Sequence, residues 1–303
     1  MTALQTQIRR EFWEHRSLWL APPAIAIVLL LTASIFGHII HIDFGPPHPP
    51  GNGDIQPPLF EVALLGWAVP FCLAAVILAT TYLLDCLYGE RRDRSVLFWR
   101  SMPVSDARTV LVKLLVGLVI FPLGTFLLAA LTSLAGSAIL ALRNHGVIIN
   151  GASVPLWNAL SWLRMQGIML YGLIAAQLWY APFAAYLMLI SAWARRAPFA
   201  WAFVPPVLLV LFEHMVFGTY YVGRIVDGGF TELLSLAYRL DEHSVIDFDN
   251  TAAVIGDKVQ VRFNAQLLDP LHLLASPRLW WGLLAASVMI AVAIRLRRLR
   301  DDA

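Results

Sequence analysis

Six long apolar segments dominate this sequence of 303 residues and leave very few folds open to it. A helix needs about 20 mostly apolar residues to cross the hydrocarbon core of a bilayer. Backbone N–H and C=O groups find no water partners in lipid, so segments of this kind cross as helices. The sequence therefore predicts an all-α membrane protein with six transmembrane helices in a single domain, 1–303. The predicted spans cover about residues 18–40, 59–85, 110–142, 165–192, 199–218 and 279–296.

The composition supports a membrane protein and excludes several other classes. The chain is 59% hydrophobic and 14% charged, whereas a soluble domain carries about 25% charged residues. A net charge of +2 is too small to indicate nucleic-acid binding. The two cysteines, Cys72 and Cys86, fall on one predicted helix about 21 Å apart, too far for a disulfide.

The distribution of Lys and Arg predicts the orientation of the spans. With a cytoplasmic N-terminus, 15 of the 22 Lys and Arg residues lie in the short cytoplasmic segments and seven lie in the longer outer ones. Cytoplasmic loops carry an excess of cationic residues. We therefore expect both termini in the cytoplasm.

The first 17 residues predict an amphipathic helix that lies in the cytoplasmic membrane interface. Leu4, Ile8 and Phe12 recur every four residues, while Arg9 and Arg10 lie elsewhere around the helix. The alternative is a cytoplasmic extension of the first span. The interfacial helix is preferred, with its contacts at Ile8, Arg9, Arg10 and Phe12.

A dense island of charge lies between the second and third spans, at residues 89–113. Six of its residues are cationic, yet its middle is apolar and aromatic at Leu97, Phe98 and Trp99. A solvated loop does not need these three side chains together, whereas a short helix that docks onto another protein does. Pro103 ends such a helix, and Ser105 can cap the next one with Asp106 in its first turn.

The island resembles the corresponding segment of the ABC-2 type permeases, the membrane subunits of a class of ABC exporters. That family shows an acidic residue, a Gly-Thr pair, a leucine, Pro-Val-Ser and a lysine at the start of the next span. This chain has Glu90 and Asp93, then Leu97, 103–105 as Pro-Val-Ser, and Lys113. It departs from the pattern with Arg94-Ser95 in place of Gly-Thr and with an unusually aromatic Phe98-Trp99. The six spans, the N-terminal helix and the large loop before the last span also look like that family.

The resemblance implies a cytoplasmic coupling helix within the loop 89–108, which docks into a groove of a separate ATPase subunit. Two copies of that ATPase would power two permease chains, either identical or related. ATP and Mg would be bound by the partner, so this chain is expected to be no enzyme and to hold no cofactor or metal of its own. The family also implies a bacterial inner membrane. The residues expected to couple the two subunits are Glu90, Arg91, Arg92, Asp93, Arg94, Leu97, Phe98, Trp99, Arg100 and Pro103. A positively charged topology loop without a partner is the alternative, and it leaves the aromatic residues unexplained.

Polar side chains inside spans are the second group of candidates, because burying them against lipid is costly. They either line a substrate path or form hydrogen bonds between helices, and the sequence does not separate the two. These residues are Thr80, Thr81, Tyr82 and Asp85 in the second span, with Gln177 and Tyr180 in the fourth.

Three groups of potential metal ligands or catalytic residues lie toward the outer side, and a structural role is favoured for each. Glu213 and His214 lack the second histidine that a zinc site would require. His38, His41, His48 and Asp43 cluster after the first span, and an acidic run follows at Asp241, Glu242, Asp247 and Asp249.

The outer loop 219–278 is the one sizeable hydrophilic segment, and it is expected to form a small extracytoplasmic cap. Residues 231–238 predict a short helix, and 258–263 alternate like a strand. Two other functions stay open. One is an integral membrane enzyme that acts on lipid or peptide through Glu213 and His214. The other is a non-transporting anchor or sensor that uses the loop 219–278 as a receptor.

Overall fold

The computed structural model describes residues 3–36, 59–92, 105–144, 147–149, 152–154, 158–238 and 268–300. Almost all of these residues are helical. In chain order the helices are α1 Ala3–Glu14, α2 Arg16–Phe36, α3 Leu59–Asp85, α4 Tyr88–Arg92, α5 Asp106–Leu115, α6 Phe121–Asn144, α7 Ala159–Trp193, α8 Pro198–Phe217, α9 Tyr221–Ala237, α10 Pro270–Ala275 and α11 Pro277–Arg300.

Within the described residues, six helical segments are long and apolar enough to cross a membrane, as predicted. The third and fourth are the longest, again as predicted. The architecture is therefore that of a multi-pass helical membrane protein. Spans 1 to 6 comprise Arg16–Ile35, Leu64–Arg92, Asp106–Leu142, Ala159–Trp193, Pro198–Phe217 and Pro277–Leu299.

A π-helical turn at Val116–Ile120 divides span 3 into α5 and α6. Pro122 follows directly and has no N–H to donate, which interrupts the regular α-helical ladder. The Phe121 N–H donates to the Val116 carbonyl, five residues back, so the freed backbone groups are satisfied by a wider turn.

Spans 2 and 3 approach each other closely at two glycines of span 3. A Cβ atom at Gly117 would lie 2.8 Å from a methyl carbon of Leu83, and one at Gly136 would enter the ring of Trp67. The largest buried apolar cluster surrounds the first of these approaches, and it includes Val110, Phe121 and Met188.

The chain ends of the described structure lie at one end of the bundle. Arg10 of α1, near the start, and Arg297 of α11, near the finish, both contact the same residue, Glu90. An even number of spans requires this arrangement. We call this end of the bundle the terminal end.

At the opposite end, the described part of 219–278 is helical. The predicted helix at 231–238 is the last part of the longer α9. This helix packs along α7 rather than beyond its tip, because the Tyr171 hydroxyl donates to the Ala237 carbonyl at 3.0 Å. A bridge between Tyr238 and Leu268 joins α9 to the start of α10. The strand predicted at 258–263 lies outside the described residues.

A short antiparallel hairpin between spans 3 and 4 was not predicted. Its strands, β1 Val147–Ile149 and β2 Ala152–Val154, pair Val147 with Val154 and Ile149 with Ala152.

Candidate functional site

Four helical elements meet at the terminal end around a buried group of charged side chains. We call Arg10, Glu11, Glu90, Lys113 and Arg297 the ionic cluster. They come from α1, α4, the start of span 3 and the end of span 6. Four of the five are buried, and Arg10 is largely so. A buried charge is tolerated only when it is paired and hydrogen-bonded, and every member of the cluster has an oppositely charged neighbour.

Lys113 occupies the centre of the ionic cluster. Its ammonium group donates to Glu11 Oε1 at 2.7 Å and lies 3.3 Å from Glu90 Oε1. The side chain is fully buried about 10 Å into span 3, two turns after Asp106. The sequence fixes where this helix begins, because the Ser105 hydroxyl accepts from the Arg108 N–H at 3.4 Å as an N-cap. The predicted capping by Ser105 is thus confirmed.

Glu90 collects three cations from three different elements. One of its oxygens lies 2.8 Å from Arg10 and 3.3 Å from Lys113, and the other lies 3.0 Å from Arg297. Glu90 belongs to the short helix α4, which ends span 2 and precedes residues 93–104 in the sequence. A single carboxylate therefore connects the start of that segment to α1, span 3 and span 6.

Glu11 attaches α1 to the bundle. It accepts from the Tyr82 hydroxyl at 2.9 Å in addition to Lys113. An aromatic contact next to Glu11 also joins α1 to α2, because the Phe12 ring stacks on the Trp19 ring with 3.6 Å between the ring centroids. Ile8 packs against the main apolar cluster, and Arg9 lies over the Trp13 ring at 5.7 Å. A helix occupies Ala3–Glu14, and its buried side carries a carboxylate as well as apolar groups. Its location in the membrane interface stays a prediction.

Asp106 extends the network to the far end of the segment 93–104. Its carboxylate lies 3.3 Å from Arg297 and 3.9 Å from Arg298. With Asp106 included, three acidic groups balance the three buried or half-buried cations of the ionic cluster. The network thus holds together electrostatically without an ion from outside the chain.

Arg91 links α4 to the connection between spans 4 and 5. Its guanidinium donates to the carbonyls of Ser191 and Ala194. The Ser191 hydroxyl in turn accepts from the N–H groups of Leu87 and Tyr88, both at 3.1 Å. The turn between α3 and α4 is therefore fixed to the end of span 4 by side chain to backbone bonds.

The predicted coupling residues are placed only in part. Glu90 and Arg91 contact other elements of this chain, and Arg92 lies over the Tyr88 ring at 6.0 Å. The remaining ones, Asp93, Arg94, Leu97, Phe98, Trp99, Arg100 and Pro103, lie outside the described residues.

The predicted pathway residues do not converge on one site. Tyr82 bonds to Glu11 in the ionic cluster, whereas Tyr180 lines a cavity between spans 4, 5 and 6. Thr81 is exposed and donates to the Leu78 carbonyl of its own helix. Asp85 approaches Gly89, and Thr80 and Gln177 are half-buried.

Glu213 caps the start of α9. Its carboxylate accepts from the Tyr221 N–H at 2.6 Å, from the Val222 N–H at 2.8 Å and from the Thr219 hydroxyl at 3.0 Å. A carboxylate in this position accepts hydrogen bonds from the free N–H groups of the first turn, and its negative charge interacts favourably with the positive end of the helix dipole. His214 next to it is exposed. The contacts support the structural role that the sequence favours for Glu213.

One group of potential metal ligands occurs among the residues that the structure describes. Glu11, Glu14 and His15 place ligand atoms within 4.8 Å of one another. Lys113 already pairs with Glu11, and Arg10 pairs with Glu14 at 2.6 Å. Burial lowers the pKa of His15 even though Glu11 lies 3.9 Å away. The ion pairs account for this group. The predicted clusters at 38–48 and 241–249 lie outside the described residues.

Sequence reasoning missed the two residues that complete the ionic cluster, Glu11 and Arg297. Lys113 offered a signal, because it is the one charged residue within the apolar run 110–142 and requires a carboxylate partner. The sequence does not reveal which carboxylate, since Glu11 lies 102 residues away. Arg297 lies in a basic run of four arginines from 295 to 300, which gives no reason to single it out.

Comparison with protein-family models, with curated proteins and with solved structures finds no match to this chain.

Proposed function

We propose that this chain is the transmembrane permease subunit of an ATP-driven ABC exporter. The observation that carries the proposal is the ionic cluster, which attaches α4 to α1, span 3 and span 6. Residues 93–104, the segment that resembles a coupling helix, follow α4 immediately. A partner that moves this segment would therefore move three membrane elements through buried ion pairs.

The attachment exists on both sides of the segment. Before it, Glu90 contacts Lys113 and Arg297, and Arg91 bonds to the end of span 4. After it, Ser105 caps span 3, and Asp106 contacts Arg297 again. A partner that displaces the loop between these two anchors would therefore act on spans 2, 3, 4 and 6 through them. This geometry suits a loop that converts a partner's movement into rearrangement of spans.

The other components of the proposed exporter are separate protein chains. In this proposal two copies of a separate ATPase bind ATP and Mg and dock on the coupling helix within the loop 89–108, with Leu97, Phe98 and Trp99 as anchors. Two permease chains form the pathway in the inner membrane, and both termini are cytoplasmic. The N-terminal helix α1 provides a second contact with the ATPase. This chain itself catalyses nothing.

The test is to purify the protein from its native membrane in mild detergent and identify what accompanies it. We expect a stoichiometric ATPase with a phosphate-binding Walker motif, lost in Leu97→Asp. Leu299→Asp is the matched control, because Leu299 lies at the terminal end of span 6, is 72% exposed and is far in sequence from the docking segment. The control should retain the partner.

A preparation without any nucleotide-binding partner would reject the proposal. So would equal retention of the ATPase by the parent and Leu97→Asp. Attention would then turn to the membrane enzyme and the anchor or sensor. The contacts of Glu213 do not favour the enzyme, because both of its oxygens already accept hydrogen bonds from the chain.

A further inference from the structure

A cavity of about 470 Å³ lies between spans 4, 5 and 6, and no member of the ionic cluster lines it. This volume is within the range of small-molecule binding sites, about 300–1,000 Å³. Aromatic and apolar side chains from all three spans form its wall. Those that matter below are Trp179, Phe183, Tyr186, Phe203 and Val207.

The polar ends of its aromatic residues are directed to partners in the protein. The Trp179 indole N–H donates to the Gly229 carbonyl at 2.7 Å, and the Tyr186 hydroxyl donates to the Ala202 carbonyl at 2.9 Å. Arg278 at the rim is paired with Glu232 and lies over the Trp179 ring at 5.9 Å. The cavity therefore offers ring faces and methyl groups to a ligand. A stable buried water needs two to four polar partners, which such a wall does not supply.

The position of the cavity along the bundle indicates its surroundings. Trp179 and Tyr186 lie 14 and 7 residues before Trp193, the terminal end of span 4. These spacings correspond to about 21 and 10 Å along the helix, so the cavity straddles the middle of a hydrocarbon core about 30 Å thick. Val207 belongs to its wall and is 55% exposed. The cavity therefore opens at the lipid-facing surface of span 5, at the depth of the lipid tails.

We propose that this cavity binds the hydrocarbon tail of a membrane lipid. An empty apolar void forfeits contact energy along its whole lining, and the molecules that face its opening at this depth are lipid tails. Pro182 and Pro206 also line it and add apolar ring surface to its wall. The inference stands on the membrane architecture alone and does not depend on the proposed export function.

The test uses phosphatidylcholine vesicles in which a fraction of the lipid carries a diazirine at the end of one acyl chain. After reconstitution and illumination, peptides of span 4 are analysed by mass spectrometry. We expect label on Phe183 and Tyr186, inside the cavity, as well as on Ile174, which is 54% exposed and serves as the internal standard for the outer lipid shell. A lipid with the diazirine in its headgroup should not label Phe183 or Tyr186.

Val207→Trp blocks the opening, and we expect it to reduce the label on Phe183 and Tyr186 severalfold relative to Ile174. Val204→Trp is the matched control, because Val204 is 49% exposed on the same helix and does not line the cavity. It should leave the label unchanged. Both positions face outward, so folding of the bundle is preserved in either variant.

Two results would overturn the inference. One is a labelling result: Val207→Trp and Val204→Trp change the label on Phe183 and Tyr186 equally, or these two residues carry no label although Ile174 does. The other is a second copy of the chain covering the opening. Val207→Cys in a Cys72→Ala background would then form a disulfide between chains in the membrane, and Phe183 would carry no lipid label.

Discussion

The Lys113 ammonium lies 2.7 Å from the Glu11 carboxylate, and this ion pair joins two helices although the two residues are 102 positions apart in the sequence. One of these helices precedes the first span, and the other begins the third. Because both side chains are buried, the pair is protected from solvent screening. The pair fixes α1 against the bundle next to Glu90 of α4, which contacts both Lys113 and Arg297 of span 6.

Lys113→Met is expected to destabilise the protein strongly. The substitution keeps most of the apolar stem and removes the charge, which leaves Glu11 and part of Glu90 buried without their central cation. Breaking one side of a buried ion pair typically costs about 3–5 kcal/mol. The measurement is thermal unfolding of the purified protein in detergent.

The control for this prediction is Arg298→Gln. Its side chain is 62% exposed and lies 3.9 Å from Asp106, so its loss should change stability little. Glu11→Gln combined with Lys113→Met should recover part of the loss, because it removes one uncompensated charge. A Lys113→Met protein as stable as the parent would contradict the assigned role of the pair.

Glu90→Gln is expected to release the segment after α4 from the bundle. The amide cannot neutralise Arg10, Lys113 and Arg297, so tryptic cleavage at Arg94 and Arg100 should become faster. Glu14→Gln is the matched control, since Glu14 is more exposed than Glu90 and its ion pair is with Arg10 of its own helix. Equal cleavage rates in the two variants would show that Glu90 does not anchor the segment.

The spans could be predicted from the sequence, because lipid imposes one requirement on every residue of a long apolar run. The ionic cluster could not. Lys113 signals that a carboxylate must be near, but the sequence pattern of residues 1–17 predicts contacts through Ile8, Arg9, Arg10 and Phe12 and does not single out Glu11. The pairing depends on how α1 folds back under span 3, and that tertiary geometry leaves no periodic pattern. Glu213 is the opposite case, because its position near the outer end of the fifth span already favoured a structural role.

Gly136→Ala is expected to destabilise the contact between spans 2 and 3. The new methyl group would meet the six-membered ring of Trp67, and the bulky indole has little room to move away. Overpacking of this kind typically costs about 1–3 kcal/mol. Gly66→Ala is the control, because it makes the same change next to Trp67. A Cβ atom at Gly66 would have no neighbouring atom within 4 Å, so this variant should be neutral or slightly stabilising. Thermal unfolding of both variants compares them, and equal melting temperatures would argue against this close packing.

Glu213→Gln is expected to weaken the start of α9 without abolishing the fold of the spans. The amide retains one acceptor oxygen, whereas the carboxylate accepts at both oxygens from Tyr221 and Val222. Proteolysis around 219–224 should therefore become faster. His214→Gln is the control on the neighbouring exposed residue and should leave the cleavage rate unchanged. Loss of a nucleotide-independent enzymatic activity in Glu213→Gln, with α9 equally protected, would instead favour the membrane enzyme.

His15 gives the protein a predictable sensitivity to acid. Burial against Tyr82 and near Lys113 lowers the pKa of His15 below its ordinary value of 6.5, and this outweighs the opposite effect of Glu11, Glu14 and Asp85. As the pH falls through 6.5, the unfolded chain takes up this proton before the folded one does, so the free energy of unfolding decreases. The contribution is fully present above pH 6.5 and is lost progressively down to the lower pKa of the folded state. Melting temperatures measured between pH 8 and pH 5 should therefore fall less in His15→Gln than in the parent, whereas the exposed control His272→Gln should follow the parent. Parallel curves for the parent and His15→Gln would show that His15 is not the group responsible.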